Sequence, residues 1–153
     1  MITGKNYIGN QLSATGSKTY KTFNPELNKE NDTVFVEATA KEIEEAVNLA
    51  SQAFKEFRTI SGAKKAEFLN AIADEILALD TLLIHTYCSE TGLPEGRANG
   101  ERGRTIGQLR SFANLVAEGS WVEATLDEAQ PNRAPMPKSD IRKMLIPLGP
   151  VVV

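Results

Sequence analysis

The stretch TAKEIEEAVNLASQAFKEF, residues 39–57, decides the fold class of this chain because it carries a complete helix signal. Thr39 followed by Glu42 has the form of a capping box, in which the threonine oxygen accepts from the free N–H groups of the first helical turn. Apolar residues then recur at steps of three and four and so share one face. They are Ile43, Val47, Ala50, Phe54 and Phe57. The pattern predicts an amphipathic helix that begins at Thr39.

Two more amphipathic helices are predicted downstream. Ser61 is the candidate cap of the second, which breaks softly near Asp80 and ends at Gly92, since glycine is the usual helix stop. Its apolar stripe is Leu69, Ile72, Ala73, Ile76 and Leu79. Pro94 can open the third helix, because proline loses no hydrogen bond in a first turn. That helix is predicted to end at Gly119.

The third helix contains an unusual run of glycines. Gly100, Gly103 and Gly107 each cost about 1 kcal/mol of helix propensity relative to alanine, so a close approach by another backbone or a ligand is expected there. Together with Gly96 they follow no predicted strand and form no GxGxxG string, which a dinucleotide fingerprint requires. Close helix packing is therefore favoured over a phosphate loop.

Strands are predicted on both sides of the helices. The first forty residues hold an apolar patch at Tyr7 and then the runs KTYKTFNP and DTVFVEA, which indicate a small antiparallel layer. After Trp121, the stretch DEAQPNRAPMPKSD holds three prolines and reads as a loop or extended arm, and IRKMLIPLG is a candidate strand. The closing PVVV is typical of a buried parallel strand. Because parallel strands need partners, we expect the sequence to stop inside a larger sheet.

Composition excludes several classes of protein. The 153 residues are 41% hydrophobic and 24% charged with a net charge of −3, which suits a soluble globular domain and gives no basic footprint for nucleic acid. No apolar stretch is long enough to cross a bilayer, so no membrane contact is expected. A single cysteine allows no intrachain disulfide, and a cytoplasmic location is predicted.

The lone cysteine and the lone histidine are weak candidates for chemistry. Cys88 comes near the end of a predicted helix, not before a helix N-terminus where a thiolate would be stabilised, so a structural role is favoured. His85 is interpreted as a surface or partly buried side chain. No CxxC or HExxH spacing exists, and no metal site is predicted.

The order of these pieces resembles the opening of the aldehyde dehydrogenase superfamily. The resemblance runs from Tyr7 to Val153 and rests on YIGN, FNP, AVNLASQAFKEF, AEFLNAIADEI, SETG and IRKMLIPLGPVVV in that order. Two longer stretches, ETGLPEGRANGERGRTIGQLRSFANLVAEGSWVEA and RAPMPKSDIRKMLIPLGP, are similar to the branch that oxidises 2-oxoglutarate semialdehyde.

The resemblance implies an α/β fold and an N-terminal fragment of the family's three-part subunit. It implies that residues 1–122 form the β and helical part of a dinucleotide-binding domain, with a short antiparallel β layer and three amphipathic helices. Residues 123–148 would form an extended arm that contributes to the oligomerisation β-structure, although their composition equally fits a surface loop. Residues 149–153 would begin the first dinucleotide-binding strand.

The implied reaction is oxidation of an aldehyde to a carboxylate with NAD or NADP, by a full-length homo-oligomer (a dimer or tetramer). In the family, a cysteine thiolate attacks the aldehyde, hydride passes to the nicotinamide, and a glutamate-activated water releases the acid. No residue of this chain matches the catalytic cysteine, the glutamate or a cofactor contact. The fragment alone is therefore predicted to be inactive and to bind no cofactor tightly.

Four arginines on the third predicted helix are the candidate substrate contacts. They are Arg97, Arg102, Arg104 and Arg110. In the resembling family this helix borders the tunnel by which the aldehyde enters, and a guanidinium suits the substrate's carboxylate. The hypothesis is that Arg104 faces the tunnel, with Gln108 one turn further on as a helper. The alternative is a solvated Arg104, or one in a salt bridge beside Glu101.

A rival reading makes the chain a non-catalytic protein, either a helical interaction module or a truncated relic of such an enzyme. The apolar PVVV end speaks against a self-contained module, since an unpaired buried strand has no use there. An acyl-transferring or phosphate-reducing relative on the same fold is a third reading.

Overall fold

The computed structural model describes residues 2–153, in which short strands at both ends flank a central run of helices. The strands are β1 (Asn6–Ile8), β2 (Gln11–Ser13), β3 (Thr19–Asn24), β4 (Lys29–Val36), β5 (Thr125–Asp127) and β6 (Ile141–Lys143). The helices are α1 (Ala40–Phe57), α2 (Gly62–Ala78), α3 (Asp80–Thr91), α4 (Glu95–Glu118) and a 3-10 turn over Ser120–Val122. The predicted α/β class is confirmed.

The helix ends lie where the local sequence signals predicted them. Thr39 and Glu42 form the complete capping box of α1. The Ser61 side chain accepts from the backbone N–H of Lys64 at the start of α2. Gly92 and Gly119 end α3 and α4 in the left-handed conformation, with φ of 68° and 90°. These signals succeed because each depends only on residues within one turn of the helix end.

The prediction of three helices was wrong in number, because the soft break near Asp80 is a true helix boundary. Asp80 has φ of +40°, a left-handed conformation that a continuous α-helix cannot contain. Its carboxylate lies 3.7 Å from Nη1 of Arg102 on α4, a contact from outside the local sequence. The chain therefore turns at this point, and α2 and α3 are separate helices.

The predicted antiparallel layer is present as two separate hairpins. β1 pairs with β2, with Tyr7 opposite Leu12, and β3 pairs with β4, with Tyr20 opposite Phe35. A backbone bond of 3.0 Å from the N–H of Val36 to the Gly4 carbonyl ties the two hairpins together. The N-terminal strands thus form two linked ribbons rather than one sheet.

The segment after α4 forms a third hairpin and then an extended tail. β5 and β6 pair antiparallel, and an isolated bridge joins Gln130 to Lys138 between them. Within residues 2–153, residues 144–153 join no sheet, and the N–H of Leu145 bonds to the Val122 carbonyl at 2.8 Å. A strand needs a neighbour to complete its hydrogen bonds, so the strand predicted at 149–153 stays a prediction.

The core lies mainly between α2 and α4, whose facing side chains are small. Ala73 of α2 and Ala113 of α4 are fully buried at 0% exposure. Ile106 of α4 is buried as well. At the start of α2, a Cβ on Gly62 would lie 2.1 Å from the Val116 carbonyl oxygen. Small residues thus let the two helices come close together.

The close helix packing favoured for the glycines of α4 is not present within residues 2–153, whereas the approach of a ligand stays a prediction. A Cβ added at Gly96, Gly100, Gly103 or Gly107 would meet no atom of the described chain within 4 Å. These glycines are exposed positions of α4, whereas the close backbone approach occurs at Gly62 of α2. Spacing within one helix identifies small residues, but it does not say which side of that helix meets its neighbour.

The apolar stripe predicted on α1 exists, but much of it is uncovered. Ile43 is 56% exposed, Val47 49% and Phe57 43%. Helix α1 makes its main contacts with β1, through a neighbouring side that carries the buried Glu42. The amphipathic pattern therefore predicted the helix correctly, while the rest of the described chain does not bury its apolar face.

Candidate functional site

Helix α4 presents Arg104 and Gln108 on its exposed side. The opposite side carries the buried residues Ala98, Ile106 and Ala113 and faces α2. Arg104 and Gln108 are both exposed and lie one turn apart, so their side chains are neighbours on the helix surface. The structure thus places these two candidate residues on one exposed face of α4, and their role in substrate binding stays a prediction.

The other arginines of α4 have acidic or polar partners. Arg97 pairs with Glu101 at 2.6 Å, and Arg110 pairs with Asp74 of α2 at 3.0 Å. Arg102 is mostly buried, and its Nη2 donates to Asn99 at 2.9 Å while Nη1 approaches Asp80. These three arginines hold helices together or stabilise α4 itself.

Arg104 differs from them, because its side chain makes no hydrogen bond or ion pair with any residue in 2–153. The alternative in which Glu101 neutralises Arg104 is not seen, since Glu101 binds Arg97 instead. The guanidinium therefore has all of its donors available for a ligand. A planar fork of free N–H groups can bind a carboxylate in a bidentate manner.

The helix surface next to Arg104 carries few side chains, because glycines lie on either side of this residue. Gly100 and Gly107 lie one turn before and nearly one turn after Arg104, and open space surrounds their Cα atoms. A ligand could therefore approach the α4 backbone here without meeting side chains. This is a property of the exposed surface and not of helix packing, which was the favoured interpretation of the sequence.

A cavity of ≈ 290 Å³ lies on the other side of α4, between it and helices α2 and α3. Glu101, Arg102 and Thr105 line it together with apolar side chains from α2 and α3. Neither Arg104 nor Gln108 belongs to its lining. The cavity and the free guanidinium are thus two distinct features of α4.

The lone cysteine and the lone histidine both lie on α3. Cys88 is half-buried near the C-terminal end of α3 and not at a helix N-terminus. His85 is an exposed side chain whose Nε2 lies 3.8 Å from a carboxylate oxygen of Glu95. Within residues 2–153, no group of three or more histidine, cysteine and acidic side chains could hold a metal ion.

Glu42 is the most strongly perturbed acid of the described chain. It is only 4% exposed, and its carboxylate accepts from the Ser13 hydroxyl, from the backbone N–H of Thr15 at 3.2 Å and from that of Thr39 at 2.8 Å. These bonds, the one from Ser13 above all, hold the pKa of Glu42 far below its usual range. Such a carboxylate is a poor general base near neutral pH, so Glu42 is a structural acceptor that joins hairpin β1–β2 to α1.

Sequence reasoning found half of the Glu42 cluster and missed the other half. The Thr39 and Glu42 spacing identified the cap, whereas Ser13 and Thr15 lie 29 and 27 residues away from Glu42. Nothing in the local pattern marks a hairpin hydroxyl as a partner of a helix cap. The pairing of Asp80 with Arg102 was missed for the same reason.

In residues 2–153 no helix combines the length and the apolar character that a bilayer crossing requires.

Comparison with known proteins gives a consistent picture. The model of the aldehyde dehydrogenase family matches residues 12–153. The chain is 46% identical over 153 residues to alpha-ketoglutaric semialdehyde dehydrogenase 2 of Azospirillum brasilense, covering 99% of this chain and 29% of that protein. It is 37% identical over 150 residues to alpha-ketoglutaric semialdehyde dehydrogenase of Acinetobacter baylyi, covering 98% of this chain and 28% of that protein. The chain thus spans less than a third of the length of these curated relatives.

Solved structures with this fold include enzymes of several specificities. A betaine aldehyde dehydrogenase from Staphylococcus aureus in complex with NAD+ matches with a TM-score of 0.74 at 18% identity, covering 90% of this chain and 26% of that one. An NAD-dependent benzaldehyde dehydrogenase from Corynebacterium glutamicum matches with a TM-score of 0.75 at 15% identity, covering 85% of this chain and 28% of that one. At these identities the likeness shows the shared fold.

Proposed function

The chain belongs to the aldehyde dehydrogenase family, and from this premise we propose that it supplies part of an enzyme that oxidises 2-oxoglutarate semialdehyde to the dicarboxylate. The similarity to alpha-ketoglutaric semialdehyde dehydrogenases carries the proposal, since this chain is 46% identical to one of them over 99% of the chain's length. NAD or NADP would accept the hydride, as the NAD complexes of fold relatives suggest.

Arg104 is the residue of this chain that we assign to substrate selection. The substrate carries a carboxylate at the end opposite its aldehyde, and the Arg104 guanidinium is exposed and has no partner within residues 2–153. Gln108, one turn further, can donate an amide N–H to the same carboxylate. Together they would hold the acidic end and discriminate against neutral aldehydes, because a neutral group leaves the guanidinium unpaired.

We propose no dinucleotide contact among the described residues. Glycine-rich phosphate loops follow a strand and open a helix, whereas the clustered glycines of this chain lie inside α4. We therefore assign no cofactor contact to these residues. Residues 1–122 would form the N-terminal β and helical part of the dinucleotide-binding domain. Residues 123–148 would belong to an arm used in oligomerisation, and residues 149–153 would begin the first strand of the nucleotide sheet.

Replacement of Arg104 by alanine tests the proposal in a gene product that contains this chain and the catalytic region of the family. We expect the KM for 2-oxoglutarate semialdehyde to rise about tenfold or more, because a charge-assisted bond is lost. The KM for a neutral aldehyde of similar length should stay the same. Steady-state kinetics with both substrates measure the ratio of kcat/KM.

Arg110→Ala is the matched control, since Arg110 lies on the same helix but pairs with Asp74. It should leave the preference for the acidic aldehyde intact. If Arg104→Ala keeps that preference too, Arg104 does not select the substrate. If the unmodified enzyme prefers neutral aldehydes, the proposed substrate is wrong.

A second test uses the 153-residue chain alone. We expect no reduction of NAD or NADP in the presence of any aldehyde, because no cysteine of the described chain lies at a helix N-terminus with an acid beside it as general base. The absorbance of the reduced nicotinamide provides the measurement. Turnover above that of a Cys88→Ala variant would contradict the assignment of Cys88 as structural.

A further inference from the structure

Arg102 is a charged residue in the buried stripe of α4, and we propose that it is a positioning residue for substrate selection. It holds the glycine-rich half of α4, residues 95–107, so that Arg104 on the opposite side of the helix is fixed for the substrate carboxylate. Ala98, Arg102 and Ile106 follow at steps of four and share one face. Ala98 and Ile106 are buried, and the Arg102 side chain is only 18% exposed. This inference rests on the proposed function of Arg104.

Stability alone does not explain a charge at position 102. Arg102 lines the cavity of ≈ 290 Å³ together with Leu79, Leu83 and Tyr87, so much of its surroundings is apolar. An apolar side chain of similar length would pack there without loss of hydration, whereas a buried charge needs partners to offset the water that it loses. The role of the arginine should therefore lie in what its guanidinium binds.

The guanidinium of Arg102 connects the start of α3 with the first turn of α4. Its Nη1 lies 3.7 Å from the carboxylate of Asp80, the first residue of α3. Its Nη2 donates to the side-chain carbonyl of Asn99 at 2.9 Å, and the Asn99 amide donates to the Glu95 backbone carbonyl at 2.9 Å. One side chain thus fixes two points of the structure relative to each other.

The glycine-rich half of α4 has few side chains that could fix it otherwise. Gly100 and Gly103 flank Arg102, and a Cβ on either would meet no atom of the described chain within 4 Å. Glycines also weaken a helix, because they lose more backbone freedom on folding than other residues do. Apolar packing by Ala98 and Ile106 is not directional. Arg102 adds the directed contacts that set the rotation of this half about its axis.

Arg104 depends on this anchor because it lies only two residues further along the same helix. Two residues correspond to about 200° around the axis, so Arg104 is exposed where Arg102 is buried. A rotation of the glycine-rich half would displace the long Arg104 side chain, and bidentate binding of a carboxylate needs a well-placed guanidinium plane. A loosened anchor should therefore weaken binding of an acidic substrate without slowing the chemical step.

The first test is Arg102→Met in a gene product that contains this chain and the catalytic region of the family. Methionine keeps a long apolar side chain but cannot pair with Asp80. We expect the KM for 2-oxoglutarate semialdehyde to rise several-fold with kcat nearly unchanged. The rise should be smaller than in Arg104→Ala, because the guanidinium that binds the substrate is still present. The KM for a neutral aldehyde of similar length should stay the same.

Arg110→Met is the matched control, since it removes the same charge and an ion pair with Asp74 from the other half of α4. It should leave both KM values unchanged. Asp80→Asn removes the partner of Arg102 and should raise the KM for the acidic aldehyde as Arg102→Met does. The double variant should be no worse than the more affected single variant, since both changes break the same contact.

Hydrogen exchange followed by mass spectrometry separates positioning from a general loss of stability. In Arg102→Met, the amides of residues 95–107 should exchange faster, while those of α2 keep their rates. Equal acceleration in both segments, or no change at residues 95–107, would overturn the proposal.

The kinetic outcomes distinguish this proposal from the proposed function. If Arg104→Ala loses the preference for the acidic aldehyde while Arg102→Met and Asp80→Asn keep the KM of the unmodified enzyme, the role of Arg102 is wrong and the proposed function stands. If Arg104→Ala keeps the preference, the proposed role of Arg104 fails, and the role of Arg102 in substrate selection fails with it.

Discussion

At the scale of single residues, the Glu42 carboxylate couples stability to pH. Its folded pKa is held well below the ordinary value of 4.5, so its contribution to stability is complete above about that pH and disappears as the pH falls towards the folded pKa. We expect Glu42→Gln to lower Tm clearly at pH 7. The difference in Tm between the parent chain and the variant should shrink as the pH drops below 4.5.

Thermal melts followed by circular dichroism between neutral and acidic pH provide the measurement. Glu45→Gln is the control, because Glu45 is an exposed acid on the same helix that accepts no hydrogen bond in residues 2–153. A Glu42→Gln difference that is constant over the whole pH range would show that the hydrogen bonds do not depend on the charge of Glu42.

Two glycines of the α2–α4 pair should respond to alanine in opposite directions. At Gly62 a Cβ would lie 2.1 Å from the Val116 carbonyl oxygen, so Gly62→Ala should destabilise the chain by about 1–3 kcal/mol. At Gly100 a Cβ meets open space, and Gly100→Ala should stabilise it by up to about 1 kcal/mol. Urea unfolding measures both, and a loss of stability in Gly100→Ala would contradict the open surface on α4.

These residues show which contacts of single residues can be predicted from the sequence. The caps at Thr39, Ser61, Gly92 and Gly119 were predicted, because a cap and its partners lie within a few residues of each other. The contacts of Gly62 with Val116 and of Glu42 with Ser13 were not, because folding brings distant residues together. Gly62 and Gly100 are chemically identical, and only their neighbours in space give them different roles.

At the scale of elements, the boundary between α2 and α3 depends on the left-handed backbone of Asp80. Asp80→Gly should be nearly neutral, since glycine adopts a φ of +40° without strain. Asp80→Ala should cost about 1–2 kcal/mol, because an alanine Cβ crowds the following carbonyl in that conformation. Chemical unfolding measures the difference between the two variants.

Asp80→Asn separates the backbone from the charge. Asparagine tolerates the left-handed conformation but cannot pair with Arg102, and the Asp80 side chain is 75% exposed, so the loss should stay within about 1 kcal/mol. If alanine and glycine prove equally stable at position 80, the junction is not strained.

The number of helices could not be read from the apolar pattern alone. The stripe of α2 continues through Leu79 into Leu83 and Tyr87 of α3 with nearly regular spacing, so periodicity favours one long helix. The actual bend depends on the backbone of one residue and on Arg102 from another helix. The hairpins, in contrast, follow from local β-branched and aromatic runs, although their division into two ribbons does not.

At the scale of the whole molecule, stability should be concentrated in one helix pair. The fully buried alanines Ala73 and Ala113 lie where α2 meets α4, and every residue of β5 and β6 is exposed. We expect hydrogen exchange followed by mass spectrometry to show the slowest amides in α2 and the C-terminal half of α4 and the fastest in the β5–β6 hairpin. Uniform protection across these elements would contradict a core confined to the helices.

The family could be recognised from the order of short motifs along the chain. For the candidate site, the sequence could predict only which residues share one face of a helix. Helical spacing put Arg104 and Gln108 on the same side of α4, and the structure adds that Arg104 is the arginine of that helix without a partner among the described residues. Spacing could not show this, because the partners of Arg102 and Arg110 come from the α2–α3 region. Only the folded structure shows that three of the four arginines have partners among the described residues and that the side chain of Arg104 has none.

The exposed glycines of α4 also affect how this helix responds to heating. Glycines surrender more backbone freedom on folding than other residues do, and four of them fall in the first thirteen residues of this 24-residue helix. That half should therefore unwind locally on warming before the alanine-packed half does. Binding of a carboxylate by Arg104 would then weaken at temperatures where the remainder of the molecule is still folded.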